Sequence, residues 1–200
     1  MKTTHPINNL LLREIDRFRK TRVFSSSDFV SLGNRAAIDQ ALSRLSREGI
    51  IERIGRGLYF IPYKDRTSSS PNPEQIAAAV ARRTSSRVIP SGALSANILG
   101  LSTQVPTKMV FLTDGRPRRI RIGSKLLILR HASPQTVSVG GRTSAVVFQA
   151  MRYLGRAGVT DEIVQQIKTV LSTKEKHALE RDIIHAVAWM RPLLKKIVEE

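Results

Sequence analysis

Between Asn34 and Phe60 the hydrophobic period of the chain switches from that of a helix to that of a strand, with a glycine at the switch. In "RAAIDQALSRLSREG" Ala37, Ile38, Ala41, Leu42 and Leu45 share one stripe, and Ala36, Asp39, Gln40, Ser43 and Arg47 lie on the opposite face. Asn34 is placed to cap this helix and Gly49 to end it. "ERIGRGLYF" follows at once. Its two short runs about a Gly-Arg-Gly tip read as a β-hairpin with strands at 52–54 and 58–61, Gly55 and Gly57 supplying positive φ. A helical stripe and a hairpin this close together must share one core, so the fold class expected here is α+β.

Upstream, "INNLLLREIDRFRKT" puts Leu11, Ile15 and Phe18 at helical spacing, leaving Arg13, Arg17 and Lys20 for solvent. Ser25 and Asp28 have the spacing of a capping box, and Phe24 and Phe29 that of a hydrophobic staple, so a short second helix runs to Gly33. Helix, helix, glycine turn, helix and hairpin is the order of a winged helix-turn-helix domain, whose recognition helix enters the major groove. On that expectation Asn34, Arg35, Gln40, Ser43, Arg44 and Arg47 of the third helix, with Arg53 and Arg56 of the wing, contact double-stranded DNA. Arginine suits guanine or phosphate, and Asn or Gln suits adenine. The plainer alternative is a protein-interaction module whose exposed arginines are merely solvated.

The charge balance favours an anionic partner. The 200 residues carry 33 Lys and Arg against 16 Asp and Glu, a net +17. The excess is uneven: residues 1–66 hold 13 basic and 7 acidic groups, residues 67–158 hold 13 and 2, and residues 159–200 hold 7 of each. With no cysteine, thiol chemistry and disulfides are excluded, in keeping with a reducing compartment. The beginning offers only three consecutive leucines before charge resumes, too few for a signal peptide or a membrane span. A cytoplasmic protein without a membrane partner is expected.

"DRTSSSPNPEQ" has the composition of a linker, which divides the chain into a winged helix-turn-helix domain at 1–66, a linker at 67–73 and a C-terminal α+β domain at 74–200. Asn72, Pro73 and Gln75 open a helix with a buried alanine run; "RVIP" is a short strand and Ser91 starts another helix. "TKMVFLTD", "PRRIRIG" and "SKLLILRH" read as a small antiparallel sheet, a meander turning at Asp114-Gly115 and Gly123-Ser124. Arg119 and Arg121 alternate with Ile120 and Ile122, and with Arg116, Arg118, Lys125 and Arg130 they form a basic surface. Its alternative role is to keep a strand edge soluble. Gly140-Gly141 precedes a helix but lacks the lysine and spacing of a P-loop, so it is read as a turn. The helical end follows, capped at Thr160 and by Ser172 with Glu175, its core expected from Ile163, Val164 and Ile167, then Ile184, Val187 and Ala188; Pro192 bends or restarts the last helix.

Catalytic machinery is not apparent. His177 and His185 are too far apart for a helical metal pair, the middle region has only Glu74 and Asp114 as acids, and G-x-S-x-G, Walker and Rossmann patterns are missing. No enzyme, metal or cofactor is expected.

"LSREGIIERIGRGLYFIP", followed by a linker and "SGALSANILGLSTQVPTKMVFLTDGRPRRIRIG", resembles the AbiEi-like antitoxins of type IV toxin-antitoxin and abortive-infection (phage defence) systems, over roughly residues 8–130. The resemblance implies a winged helix that represses its own operon at an operator, with inverted repeats expected there. It also implies a C-terminal domain that opposes a nucleotidyltransferase-like toxin without a stable complex. Operator binding then falls to 34–47 with Arg53 and Arg56, and antitoxicity to residues from 74 onward. Two alternatives stand beside it: an RNA-binding protein that shields the toxin's substrate with its basic sheet, and a plain winged-helix regulator without a toxin.

Overall fold

The computed structural model describes residues 6–18, 22–62, 71–103, 108–123, 125–138 and 140–199. The chain is α+β and forms two compact units, one comprising residues up to Ser86 with Ile120–Lys125, the other Arg87–Arg119 with Leu126–Glu200. The first unit begins with α1 (Pro6–Asp16), a 3-10 helix (Ser26–Leu32) and α2 (Arg35–Arg47), then the hairpin β1 (Glu52–Gly55) and β2 (Leu58–Phe60), and closes with α3 (Pro73–Thr84).

The apolar stripes meet as their spacing predicts. Leu11 and Ile15 of α1 and Ile38, Ala41, Leu42 and Leu45 of α2 are buried around Phe24, Phe29, Ile51 and Tyr59. A fully buried leucine or isoleucine of this kind contributes about 1.5–3 kcal/mol. Phe18 lies beyond the end of α1 and packs by its ring, 5.7 Å from Phe24 and 5.5 Å from Phe29, while Phe24 and Phe29 meet edge-on at 5.6 Å, as the expected staple requires. Ser25 donates its backbone N–H (2.9 Å) and hydroxyl (3.3 Å) to Asp28 Oδ2, closing the capping box. The segment it opens is a 3-10 helix broken at Phe29 (φ −126°), because serine and β-branched or aromatic residues give an α-helix little support.

Two details of the hairpin differ from the sequence reading. Gly57 alone takes positive φ (69°); Gly55 does not, and the register shifts between Arg53 and Gly55 as a bulge. A third strand position also joins it. Phe24 exchanges two backbone hydrogen bonds with Tyr59, of 2.8 and 2.9 Å, tying the chain between α1 and the 3-10 helix to β2.

The division into units falls after Ser86, whereas the sequence places its linker at 67–73, of which 67–70 lie outside the described residues. α3 starts as read, with Asn72 as N-cap, Pro73 at its first turn and Gln75 returning to the Asn72 N–H. It groups with the first unit because its last turn is bound there. Arg82 donates from Nε to Asp28 Oδ1 (2.9 Å) and from Nη2 to the Val23 carbonyl (2.8 Å).

The second unit contains β3 (Val88–Pro90), α4 (Gly92–Ile98), β4 (Lys108–Thr113), β5 (Arg118–Ile122), β6 (Lys125–His131), α5 (Pro134–Val137), α6 (Arg142–Gly158), α7 (Asp161–Val170), α8 (Thr173–Asp182) and α9 (Arg191–Val198), except for the end of β5 and start of β6 noted above. The expected antiparallel meander is corrected: the order is β3-β4-β6-β5, with β3 antiparallel to β4 but β4 parallel to β6, from Lys108↔Leu126 to Thr113↔His131. The tight turn after β5 can join only antiparallel neighbours, so β5 takes the edge and 114–117 crosses the end of β6. His131 Nδ1 lies 3.2 Å from the Gly115 carbonyl at that crossing. This arrangement lets Met109, Phe111, Leu127 and Leu129 be buried side by side.

α4 packs on α6, and with α7, α8 and α9 they enclose a core that includes Ala96, Val147, Met151, Val164, Ile167, Leu179, Leu194 and Ile197. Ile184, Val187 and Ala188 are exposed, against the expectation of core positions; Ile183, Ala186 and Met190 are buried instead. The α-helix ends at Asp182, and the Arg191 guanidinium takes the carbonyls of Ile184 and Ala186, each at 3.0 Å. Pro192 starts α9.

Candidate nucleic-acid interface

The outward face of α2 carries the residues the pattern assigned to it. Ala36, Asp39, Gln40 and Arg47 are exposed and Ser43 is half-buried. Opposite them Ile38, Ala41, Leu42 and Leu45 fix the rotation of the helix, so a slip would cost buried leucine and isoleucine surface. Arg35 is exposed and 4.0 Å from Asp39, a solvent-screened pair worth at most about 0.5 kcal/mol that leaves the guanidinium available. Arg47 reaches back to the Ser43 carbonyl at 3.5 Å.

Two of the expected contact residues are less free than the sequence suggests, one as a cap and one through partial burial. Asn34 Oδ1 accepts the Ala36 N–H at 2.8 Å and so caps α2. Arg44 lies on the flank, half-buried, with its Nε shielded from solvent. In the hairpin Arg53 and Arg56 are both exposed; Arg53 Nε donates to the Gly55 carbonyl at 3.2 Å, which holds its side chain along the strand.

Sequence reasoning missed Arg83. Its Nη1 donates to the Arg56 carbonyl at the hairpin tip, from a helix assigned by composition to the other side of a linker. Proximity of "RR" to the end of a helix was its only local signal, and that ordinarily means favourable placement against the helix dipole.

In the second unit Arg116, Arg118, Arg119 and Arg130 are exposed, as is Arg121 further along β5; Ile120 and Ile122 are half-buried, which fits the alternation read from the sequence. The Lys125 side chain lies outside the described residues. Asp114, one of the two acids of this basic stretch, accepts the Arg87 N–H at 2.8 Å. The Gly140-Gly141 turn holds a carboxylate: Asp182 Oδ2 accepts the Gly141 N–H (2.9 Å) and the Ser144 hydroxyl (2.5 Å) at the start of α6. A pocket of about 280 Å³ between Ile98, Leu99, Val146, Val170 and Leu171 carries Arg142, Thr143 and Glu175 at its rim. Hydrogen bonds from Ser172, hydroxyl first and backbone second, hold the Glu175 carboxyl below the usual carboxylate range, so it caps α8 as an anion. Among the described residues no three His, Asp or Glu side chains are grouped to hold a metal ion, and no helix is long and apolar enough to cross a membrane.

Fold and surface define an α+β protein of two compact units, with a polar helix face and an arginine-tipped hairpin in the first and the exposed Arg116, Arg118, Arg119 and Arg130 in the second. Residues 11–179 match a family of unknown function, DUF6088, and the chain belongs to that family. A search of curated proteins returns no match to it.

Proposed function

We propose that the first unit is a winged helix-turn-helix domain that binds double-stranded DNA, and that the protein is the autorepressor and antitoxin of a type IV toxin-antitoxin system with a nucleotidyltransferase-like toxin. The observation that carries the DNA-binding reading is the outward row Ala36, Gln40, Ser43 and Arg47 on α2, followed in the same unit by a hairpin presenting Arg53 and Arg56. Gln40 matches the donor and acceptor pair of adenine, Ala36 the thymine methyl, and Arg47 either guanine or phosphate. Arg35, Arg53 and Arg56 supply phosphate or minor-groove contacts, and the net +17 supplies the long-range attraction. The Phe24–Tyr59 bridge, which ties the hairpin to the chain between α1 and the 3-10 helix, supports reading the hairpin as a wing. Antitoxicity rests on the resemblance of residues 8–130 to AbiEi-like antitoxins. A second reading, RNA shielding by the second unit, is favoured by the exposed arginines on β5 and at Arg130.

Fluorescence anisotropy against the DNA upstream of the protein's own gene and a scrambled duplex, over a salt series, tests the first reading. A gap of about tenfold or more that persists as salt rises is expected. Arg53→Glu with Arg56→Glu should abolish it and flatten the salt slope by about two phosphate contacts, leaving toxin neutralisation in cells intact. Arg119→Glu with Arg121→Glu should spare operator binding. Equal, steeply salt-dependent binding to both duplexes refutes a sequence-specific repressor, and identical phenotypes from both pairs refute the division of labour.

A further inference from the structure

We propose that Arg83 is the positioning residue of the wing: it fixes the hairpin tip from α3, so that the DNA-binding unit comprises three helices, a hairpin and the helix beyond the linker. The proposal rests on the DNA-binding reading for its consequence, though not for its geometry. A hairpin this short, with strands of four and three residues and a bulge after Arg53, is weak by itself. Its tip has an external anchor. Arg83 Nη1 donates to the Arg56 carbonyl, and a Cβ placed on Gly57 would lie 3.1 Å from Cζ, Nη1 and Nη2 alike. Equal distances to three atoms of one plane mean that the guanidinium lies flat over the glycine. Gly57 is therefore favoured twice, for its φ of 69° and because a side chain there would press on the guanidinium.

The anchor is itself held. The neighbouring Arg82 ties the same helical turn to Asp28, whose side chain is 6% exposed, and to the Val23 carbonyl beside the Phe24–Tyr59 bridge. Arg83 thus sets the tip relative to the core that orients α2, and the aim of the Arg53 and Arg56 side chains follows from it. A flat, hydrogen-bonded guanidinium is what this contact uses, and lysine has neither the plane nor the fork.

The test uses the full-length protein with Arg83→Ala and Arg83→Lys. In the protein without DNA, hydrogen exchange at the amides of residues 56–58 should accelerate about tenfold or more in both variants, with the amides of α2 unchanged. On the upstream duplex both variants should weaken binding to a similar extent. Arg56→Ala should cost much less in the Arg83→Ala background than alone, because the wing it belongs to is already misplaced. Restoration of exchange and affinity by lysine would reduce Arg83 to a point charge and overturn the proposal; so would unchanged tip exchange in both variants, or additive effects of Arg83→Ala and Arg56→Ala. Should the wild type bind no DNA, the exchange measurement still decides the role of Arg83 while the DNA-binding reading falls alone.

Discussion

Asp28→Ala tests whether α3 is a working part of the first unit. The Asp28 carboxylate is almost fully buried and accepts four hydrogen bonds: the Ser25 N–H and hydroxyl on Oδ2, Arg82 Nε at 2.9 Å and Arg22 Nη2 at 3.5 Å on Oδ1. Losing the cap costs about 1 kcal/mol, since the Ser25 N–H that it satisfied belongs to a residue with 0% exposure. The ion pair adds less than about 1 kcal/mol because the Arg82 side chain is 40% exposed and rehydrates. A total of at most about 2 kcal/mol lowers the melting temperature of a unit of this size by about 4–16 °C. The two units can be followed separately: Trp189 is the single tryptophan and packs in the second core, while the methyl resonances of Ile38 and Leu42 report on the first. The methyl signals should melt early and the Trp189 fluorescence should not move. Arg82→Ala should cost about 1 kcal/mol, and the double variant less than the sum of the two, as residues sharing one contact do. Unchanged methyl melting, or strict additivity with Arg82→Ala, would refute the assignment of Asp28 as the joint between α3 and the helices before it.

Two further outcomes concern the second unit. Gly92→Ala would place a Cβ 2.6 Å from the Tyr153 Cβ and 2.9 Å from the Gln149 carbonyl oxygen, both fixed by α6, so a loss of about 1–3 kcal/mol is expected, which the better helix propensity of alanine does not offset. Trp189-monitored melting checks it, and a variant as stable as the wild type would show that α4 and α6 are not in close contact. Ser172→Ala should raise the Glu175 pKa toward its ordinary 4.5. Because the native value is lowered, the stabilisation is complete above about pH 4.5 and is lost as pH falls through the native value, so the wild-type advantage should shrink on acidification. An unchanged Glu175 titration by NMR would count against the Ser172 hydrogen bonds as its cause.

What the sequence made legible was local. Asn34, Asn72 and the Ser172–Glu175 pair announce helix starts because a cap and its helix lie within three residues of each other. The α2 stripe and the Gly57 turn were readable for the same reason. The placement of α3 was not, since it is decided by Arg82 reaching Asp28 across 54 residues and Arg83 reaching Arg56 across 27, against a linker-like composition in between. Nor was the parallel pairing of β4 with β6. Both strands are apolar runs whose pattern suits either direction, and only the packed structure shows Phe111 beside Leu129 in a parallel pair. The end of α8 was hidden because apolar spacing continues through Ile184 and Val187, while the helix stops at Asp182, whose carboxylate is bonded to the start of α6. At the candidate interface, exposure of Gln40, Arg47, Arg53 and Arg56 followed from periodicity, but the capping duty of Asn34 and the half-buried state of Arg44 required the packed structure.

The placement of the acids sharpens what the positive charge can do. Asp28, Glu175 and Asp182 each hold the start of a helical segment, Asp161 and Glu162 sit in the first turn of α7, and Asp161 also meets Lys196 at 2.9 Å. Several helix starts, the natural anion sites of a fold, are thereby occupied by the protein's own carboxylates, as at Gly140-Gly141. α2 is different: its cap is the neutral Asn34, its first residue is Arg35 and its first turn contains no acid. The electrostatic field of α2 therefore adds to that of Arg35 instead of being quenched, on the same helix that presents Gln40 and Arg47. A polyanion approaching the first unit meets a helix start that carries a neutral cap and no carboxylate in its first turn, beside polar side chains able to discriminate bases, which is the combination that couples affinity to register in the proposed complex.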